Sequence, residues 1–184
     1  MQPAHFDHVQ PWAVRSLRQS RMLESWLALA AQRHALPLFA DFAALNDYPA
    51  QDELTVYDVV RTTRSLRYLV AKEGHAFRKA LDSAATGKFL DEVLPSEVWR
   101  SAQPNFDKCV ELAKPVYATF GAIEWKDQRM LCERLLLPFG HGTGEVISIV
   151  SSFKMTAWQD ASACSPDGHQ KYPPYGFRAV IETS

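Results

Sequence analysis

Cysteine, excess basic charge and long apolar runs are all scarce in this sequence, and each shortage excludes something. Three cysteines in 184 residues, at Cys109, Cys132 and Cys164, are odd in number and make no disulfide framework, so they read as reduced thiols. Lys and Arg total 20 against 21 Asp and Glu, a formal net charge of -1, and the pI is about 6.6. A chain without a basic excess is not built to displace counterions from nucleic acid, so no nucleic-acid partner is expected. No window reaches the roughly 18 consecutive apolar residues of a membrane span. The first residues, Met1 to Val14, carry His5, Asp7 and His8 and lack the apolar core of a signal peptide. The histidines show neither Cys-x-x-Cys nor His-Glu-x-x-His spacing, so no metal site is expected. These exclusions leave a soluble cytoplasmic domain acting on small molecules or on other proteins. Apolar residues make up 47% of the chain, enough for a core that needs no covalent or metal staple.

Hydrophobic periodicity divides the chain into elements. From Arg15 to His34, Met22, Leu23, Trp26, Leu27, Leu29 and Ala30 recur at three- and four-residue spacing, which predicts an amphipathic helix that ends before Leu36-Pro37. Leu54 to Val60 is rich in β-branched and aromatic residues. With Ser65 to Lys72, across the polar turn Arg61-Thr62-Thr63-Arg64, it predicts a hairpin. Phe77, Ala80 and Leu81 predict a short helix after Gly74, and Lys88 to Leu94 another turn or two. A longer helix begins at Pro95-Ser96, with Ser96 placed to cap it and Val98, Trp99, Ala102, Phe106, Cys109 and Val110 on one side. Pro104 inside that run predicts either a kink or two consecutive helices. Three strands follow, Val116 to Trp125, Met130 to Phe139 and Glu145 to Met155, separated by short polar or glycine-rich gaps that predict an antiparallel meander. Gly140-His141-Gly142-Thr143-Gly144 reads as a turn, because a phosphate cradle needs a helix after it and a strand follows here. Beyond Ala157 the composition, with Tyr172-Pro173-Pro174-Tyr175, favours a loosely packed extension, part of which can lie against the domain.

The order helix, strand pair, short helices and three-strand meander predicts an α+β fold, a five-stranded antiparallel sheet with helices on one face. Particular stretches carry a resemblance: Trp26 with Leu36-Pro37, Leu66-Arg67-Tyr68-Leu69-Val70 running into Gly74, Thr86-Gly87-Lys88-Phe89-Leu90-Asp91-Glu92-Val93, and Glu133-Arg134-Leu135-Leu136-Leu137-Pro138-Phe139 followed by the glycine turn and Glu145-Val146-Ile147. Together they resemble the PAS sensory domain, in the form of stand-alone bacterial PAS-like proteins with an N-terminal helix and no fused output domain. The resemblance covers about Met22 to Met155. It implies an N-terminal helix and connecting segment over 1–50, a PAS-like sensory domain over 51–156 and a C-terminal extension over 157–184. It further implies a sensing or interaction module with a small-molecule cavity between sheet and helices, and it supplies no particular ligand or cofactor.

Within that frame Tyr68, His75, Trp99, Tyr117 and Arg134 are the candidate ligand-binding residues. His75 follows Gly74 at the strand-to-helix junction, where an imidazole can bond a ligand or simply sit on the surface. Tyr68, Trp99 and Tyr117 are aromatic wall candidates, equally suited to an ordinary core. Arg134 can pair with an anion. Strand parity, however, sets Leu131, Leu135 and Leu137 on one face and Cys132, Arg134 and Leu136 on the other. If the leucines face the helices, Arg134 points away, and that outward orientation is the expectation. Leu23, Trp26, Leu27 and Ala30 form an apolar stripe that either covers the chain's own sheet or makes a twofold homodimer interface. No nucleophile sits in a Gly-x-Ser-x-Gly or comparable context, and Asp91 and Glu92 read as solvated, so no catalytic residue is assigned. The functional expectation is a sensory or regulatory module, dimeric and coupled to a regulatory protein partner. The competing class is a small cavity enzyme, an isomerase or dehydratase of the cone-shaped α+β type, which needs an acid or base inside the pocket.

Overall fold

The computed structural model describes residues 4–45, 54–63, 65–81, 83–125, 128–142, 144–157 and 176–183. In chain order the elements are β1 (Asp7–Val9), a 3-10 turn (Pro11–Ala13), α1 (Leu17–Arg33), α2 (Phe39–Leu45), β2 (Leu54–Arg61), β3 (Leu66–Lys72), α3 (His75–Leu81), α4 (Leu90–Val93), α5 (Ser96–Leu112), β4 (Val116–Trp125), β5 (Gln128–Phe139), β6 (Ser148–Ala157) and β7 (Arg178–Ile181). The expected hairpin is β2–β3 and the expected meander is β4–β5–β6; β2 joins them by pairing antiparallel with β6. The fold is α+β.

The sheet is wider than expected. It has seven strands in the order β1-β7-β4-β5-β6-β2-β3, because β7 pairs antiparallel with β4 and β1 pairs parallel with β7. The stretch beyond Ala157 is therefore not only an extension, since its last strand returns to the sheet and buries Ala179, Val180 and Ile181. Cys164 and Tyr172-Pro173-Pro174-Tyr175 lie outside the described residues.

Helices cover both faces of the sheet, where one was expected. On the first face α5 packs over β4, β5 and β7, α4 over β3 and α3 beside β6. On the second face lie α1 and α2. Gln19 donates its side-chain amide to the Ser152 carbonyl at 3.0 Å, Trp26 donates its indole N–H to the Pro138 carbonyl at 2.7 Å, and Phe42 meets Phe139 edge-on at 5.2 Å. A strand covered on both sides reads as an unbroken apolar run instead of an alternating one. That is why Leu135-Leu136-Leu137 lacks polar interruption: consecutive residues of β5 serve opposite layers, and all three are buried.

Local chemistry accounts for several joints. Helix α1 stops at His34 in the left-handed conformation, φ 51°, just before Leu36-Pro37. Helix α5 runs through Pro104 as one element, not two, and its first residue is Ser96, after an N-cap at Pro95 with no side-chain cap. Pro104 deprives the Arg100 carbonyl of its intrahelical donor, and Arg100 is exposed. Asp91 and Glu92 are not merely solvated: Arg67 on β3 donates to both Asp91 oxygens at 2.9 and 3.1 Å and to Glu92 at 2.8 Å, fastening α4 to the sheet. The β5–β6 turn requires glycine at Gly140, where a Cβ would meet the Glu145 carbonyl oxygen at 2.7 Å and Leu36 at 3.1 Å. Among the described residues no helix is long and apolar enough to cross a membrane.

Candidate functional site

The strands place the site by register. Tyr57 sits opposite Ile149, Ala118 opposite Arg134, and Arg134 opposite Phe153, and directly opposed residues share a face. This is the face that α5 covers with Ala102, Asn105, Phe106 and Cys109, all buried at the three- and four-residue spacing of one helical stripe. Phe106 is the hub of an aromatic cluster. Its ring lies 5.1 Å from Tyr57, 5.0 Å from Tyr68 and 6.1 Å from Trp99, and Phe77 closes on Tyr57 at 6.1 Å. At its outer edge the Tyr68 hydroxyl donates to the Asp107 carboxylate at 2.6 Å.

Arg134 points into this layer, which corrects the outward expectation. The leucines of the opposite parity do face helices, but those of α1 and α2, so both parities are buried. Arg134 is 7% exposed, and its Cζ lies 5.7 Å from the Phe106 ring centre, 5.1 Å from Phe120 and 5.3 Å from Phe153. Among the described residues none forms a hydrogen bond or ion pair with it, and its buried Nε is unpartnered. The titratable groups that act on it are Tyr57 and Cys132. Burial pushes the Tyr57 phenol up to about 12, against the opposing pull of Arg134 and hydrogen bonds with Thr55 and Ser151. Burial likewise pushes the Cys132 thiol up to about 11, with Arg134 pulling it down. Both neighbours are neutral at pH 7, so neither supplies a counter-charge. Burial holds the guanidinium below its ordinary value, though an arginine stays protonated in any protein environment.

Two more polar side chains bury unsatisfied atoms beside this layer. Asn105 is fully buried, with neither its amide nitrogen nor its oxygen partnered. Arg178 stands opposite Ala118 on β7, so Ala118 separates two arginines across three neighbouring strands. Arg178 donates to the Ser101 carbonyl at 3.3 Å while its Nε is buried without a partner. Native interiors leave few such atoms, and each one calls for an explanation.

The remaining predicted residues are elsewhere. Tyr117 is buried on the opposite face, where its hydroxyl donates to Glu133 at 2.5 Å and Lys154 approaches the other Glu133 oxygen at 3.5 Å. His75 is exposed at the start of α3, beside a surface pocket of about 360 Å³ that also touches Ser16, Phe153 and Met155. Of the five candidates, then, Tyr68, Trp99 and Arg134 gather around Phe106, and Tyr117 and His75 do not. In the α1 stripe, Leu23 and Trp26 are buried in the chain's own core, leaving half-buried Leu27 and Ala30 beside a shallow groove. The stripe as a whole is therefore no free dimer face. Sequence reasoning missed Asn105, Tyr57, Phe120 and Phe153. Asn105 left a signal, a lone amide inside an otherwise apolar helical stripe.

No family model matches the chain, and no curated protein matches it. Among solved structures it is similar to one of a single-substitution variant of RsLOV, at 8% identity and a TM-score of 0.40, over 76% of this chain and 69% of that one.

Proposed function

We propose that this chain is a PAS-like sensory or regulatory module, not an enzyme, that receives a small ligand between the sheet and helices α3 to α5 and reports its occupancy to a partner protein. The observation that carries the reading is Arg134, a buried guanidinium without hydrogen-bond or ion-pair partners among the described residues, set in an aromatic layer. The ring contacts offset only part of the cost of burying that charge. A ligand site gains from the arrangement, because pockets combine apolar walls with a few placed polar groups. The competing enzyme reading needs an acid or base free to act. Both described cysteines are buried and held in the thiol form by that burial, and the Asp107 carboxylate is engaged by Tyr68. For the partner, Trp12 at 76% exposure and Leu17 at 68% offer apolar contact outside the core.

Native mass spectrometry of freshly purified protein tests the reading. The expected result is a retained small molecule, or a mass increase when a metabolite extract is added. Protein that stays empty in both experiments refutes the ligand module, and the same spectra report whether the chain is a monomer or a dimer.

A further inference from the structure

We propose that the ligand is a small organic monocarboxylate with an apolar body, its carboxylate held by the Arg134 guanidinium and its body packing against the half-buried Phe120 and Phe153 pair. This rests on the ligand-module reading and goes beyond it by naming the chemical class.

Four features of the site lead there. First, contacts with ring faces attract a cation but accept none of its five N–H donors as a carboxylate does. Among the described residues the buried Nε–H of Arg134 has no acceptor. Second, the charge beside Phe120 and Phe153 is one: the Arg134 guanidinium, with neutral Tyr57 and Cys132 beside it, balances a single negative charge, while Arg178, two strands away, is bonded to the Ser101 carbonyl. Third, the guanidinium is a planar fork that matches two carboxylate oxygens. Fourth, Phe120 and Phe153 flank it as near-parallel rings, 6.5 Å between centres at 22°. Both rings are half-buried, so this end of the layer communicates with solvent while Arg134 lies just inside. An apolar body there removes ring surface from water as the charge is paired. Asn105, next to Phe106 on α5, is a further buried amide without a partner on the helix side of the same layer.

The test uses the full chain, freed of any retained molecule by unfolding and refolding, with benzoate, phenylacetate, cinnamate and octanoate, each against its primary amide. Binding is read by calorimetry and by the shift in Tm. The expected result is saturable binding of at least one carboxylate, with its amide at least ~10-fold weaker. Arg134→Gln should weaken the carboxylate ~100-fold or more, the scale for deleting one side of a buried charge pair. Arg134→Lys keeps the charge without the fork and should fall between the two; it serves if Arg134→Gln does not fold, as judged by circular dichroism. An amide that binds as tightly as its acid, or an unchanged affinity in Arg134→Gln, overturns the carboxylate inference and leaves the ligand module standing. No carboxylate binding at about 10 mM, where even a millimolar site is mostly filled, also overturns it. The module itself then falls only if native mass spectrometry finds the protein empty as well.

Discussion

Replacing Arg134 by methionine should make the ligand-free protein more stable. Desolvating a charge costs several kcal/mol, and a buried pair recovers this through its partner. Here the described residues offer three ring contacts instead, each worth about 0.5–2 kcal/mol. A methionine of similar length keeps most of the packing against Phe106, Phe120 and Phe153 and removes the charge. Substitutions of buried ionic groups by apolar ones range from neutral to about 1–4 kcal/mol stabilising, and Arg134→Met should fall within ~1–3 kcal/mol. At about 2–4 °C per kcal/mol for a domain of this size, that is a rise in Tm of a few degrees or more. Urea unfolding of refolded, ligand-free protein, followed by tryptophan fluorescence and circular dichroism, measures it, with an unchanged m-value showing that compactness is preserved. A loss of about 3–5 kcal/mol, the cost of stranding one member of a buried pair, would mean that the chain itself supplies an acceptor. The reasoning behind the site would then fail.

Other positions test other parts of the structure. The Glu73 side chain accepts the backbone N–H groups of Ala85 and Thr86 and bonds Arg78; burial raises its pKa, but these donors outweigh burial and hold it at about 2, against 4.5. Its contribution is therefore complete above pH 4.5 and is lost as pH falls toward 2. Glu73→Gln should cost ~1–3 kcal/mol at neutral pH, and its deficit relative to the parent should shrink in urea titrations below pH 4.5. Gly140→Ala forces a Cβ to within 2.7 Å of the Glu145 carbonyl oxygen, so Tm should drop by an amount equivalent to ~1–3 kcal/mol. Trp26→Phe deletes the donor to the Pro138 carbonyl and should destabilise by ~1–2 kcal/mol. Because that contact lies within one chain, the loss should be the same at low and high protein concentration; a deficit that grows on dilution would return α1 to a dimer interface.

Short-range pattern made much of the fold legible before any tertiary contact was known. The periodicity of Met22, Leu23, Trp26 and Leu29 defines α1, the β-branched run from Leu54 defines β2, and the polar gap after Val60 makes β2 and β3 a hairpin. These features depend on neighbours a few residues away. The order of the elements predicts that hairpin and meander share one sheet; that β2 meets β6 is a pairing between distant strands that periodicity alone does not specify.

What the sequence determined by itself about the site is which residues share a face, because a strand alternates at every residue whatever surrounds it. Arg134 had to lie with Cys132 and Leu136, opposite Leu135 and Leu137. Only the tertiary structure decided what each face meets. The expectation of helices on one side turned Arg134 outward; α1 and α2 cover the second side, so both parities are interior and the arginine is buried. Strands β1 and β7, of three and four residues, were likewise invisible, since segments so short carry little pattern and take their order from β4. Phe106, Phe120, Phe153 and Arg134 come from four different elements, and no spacing along the chain encodes their meeting.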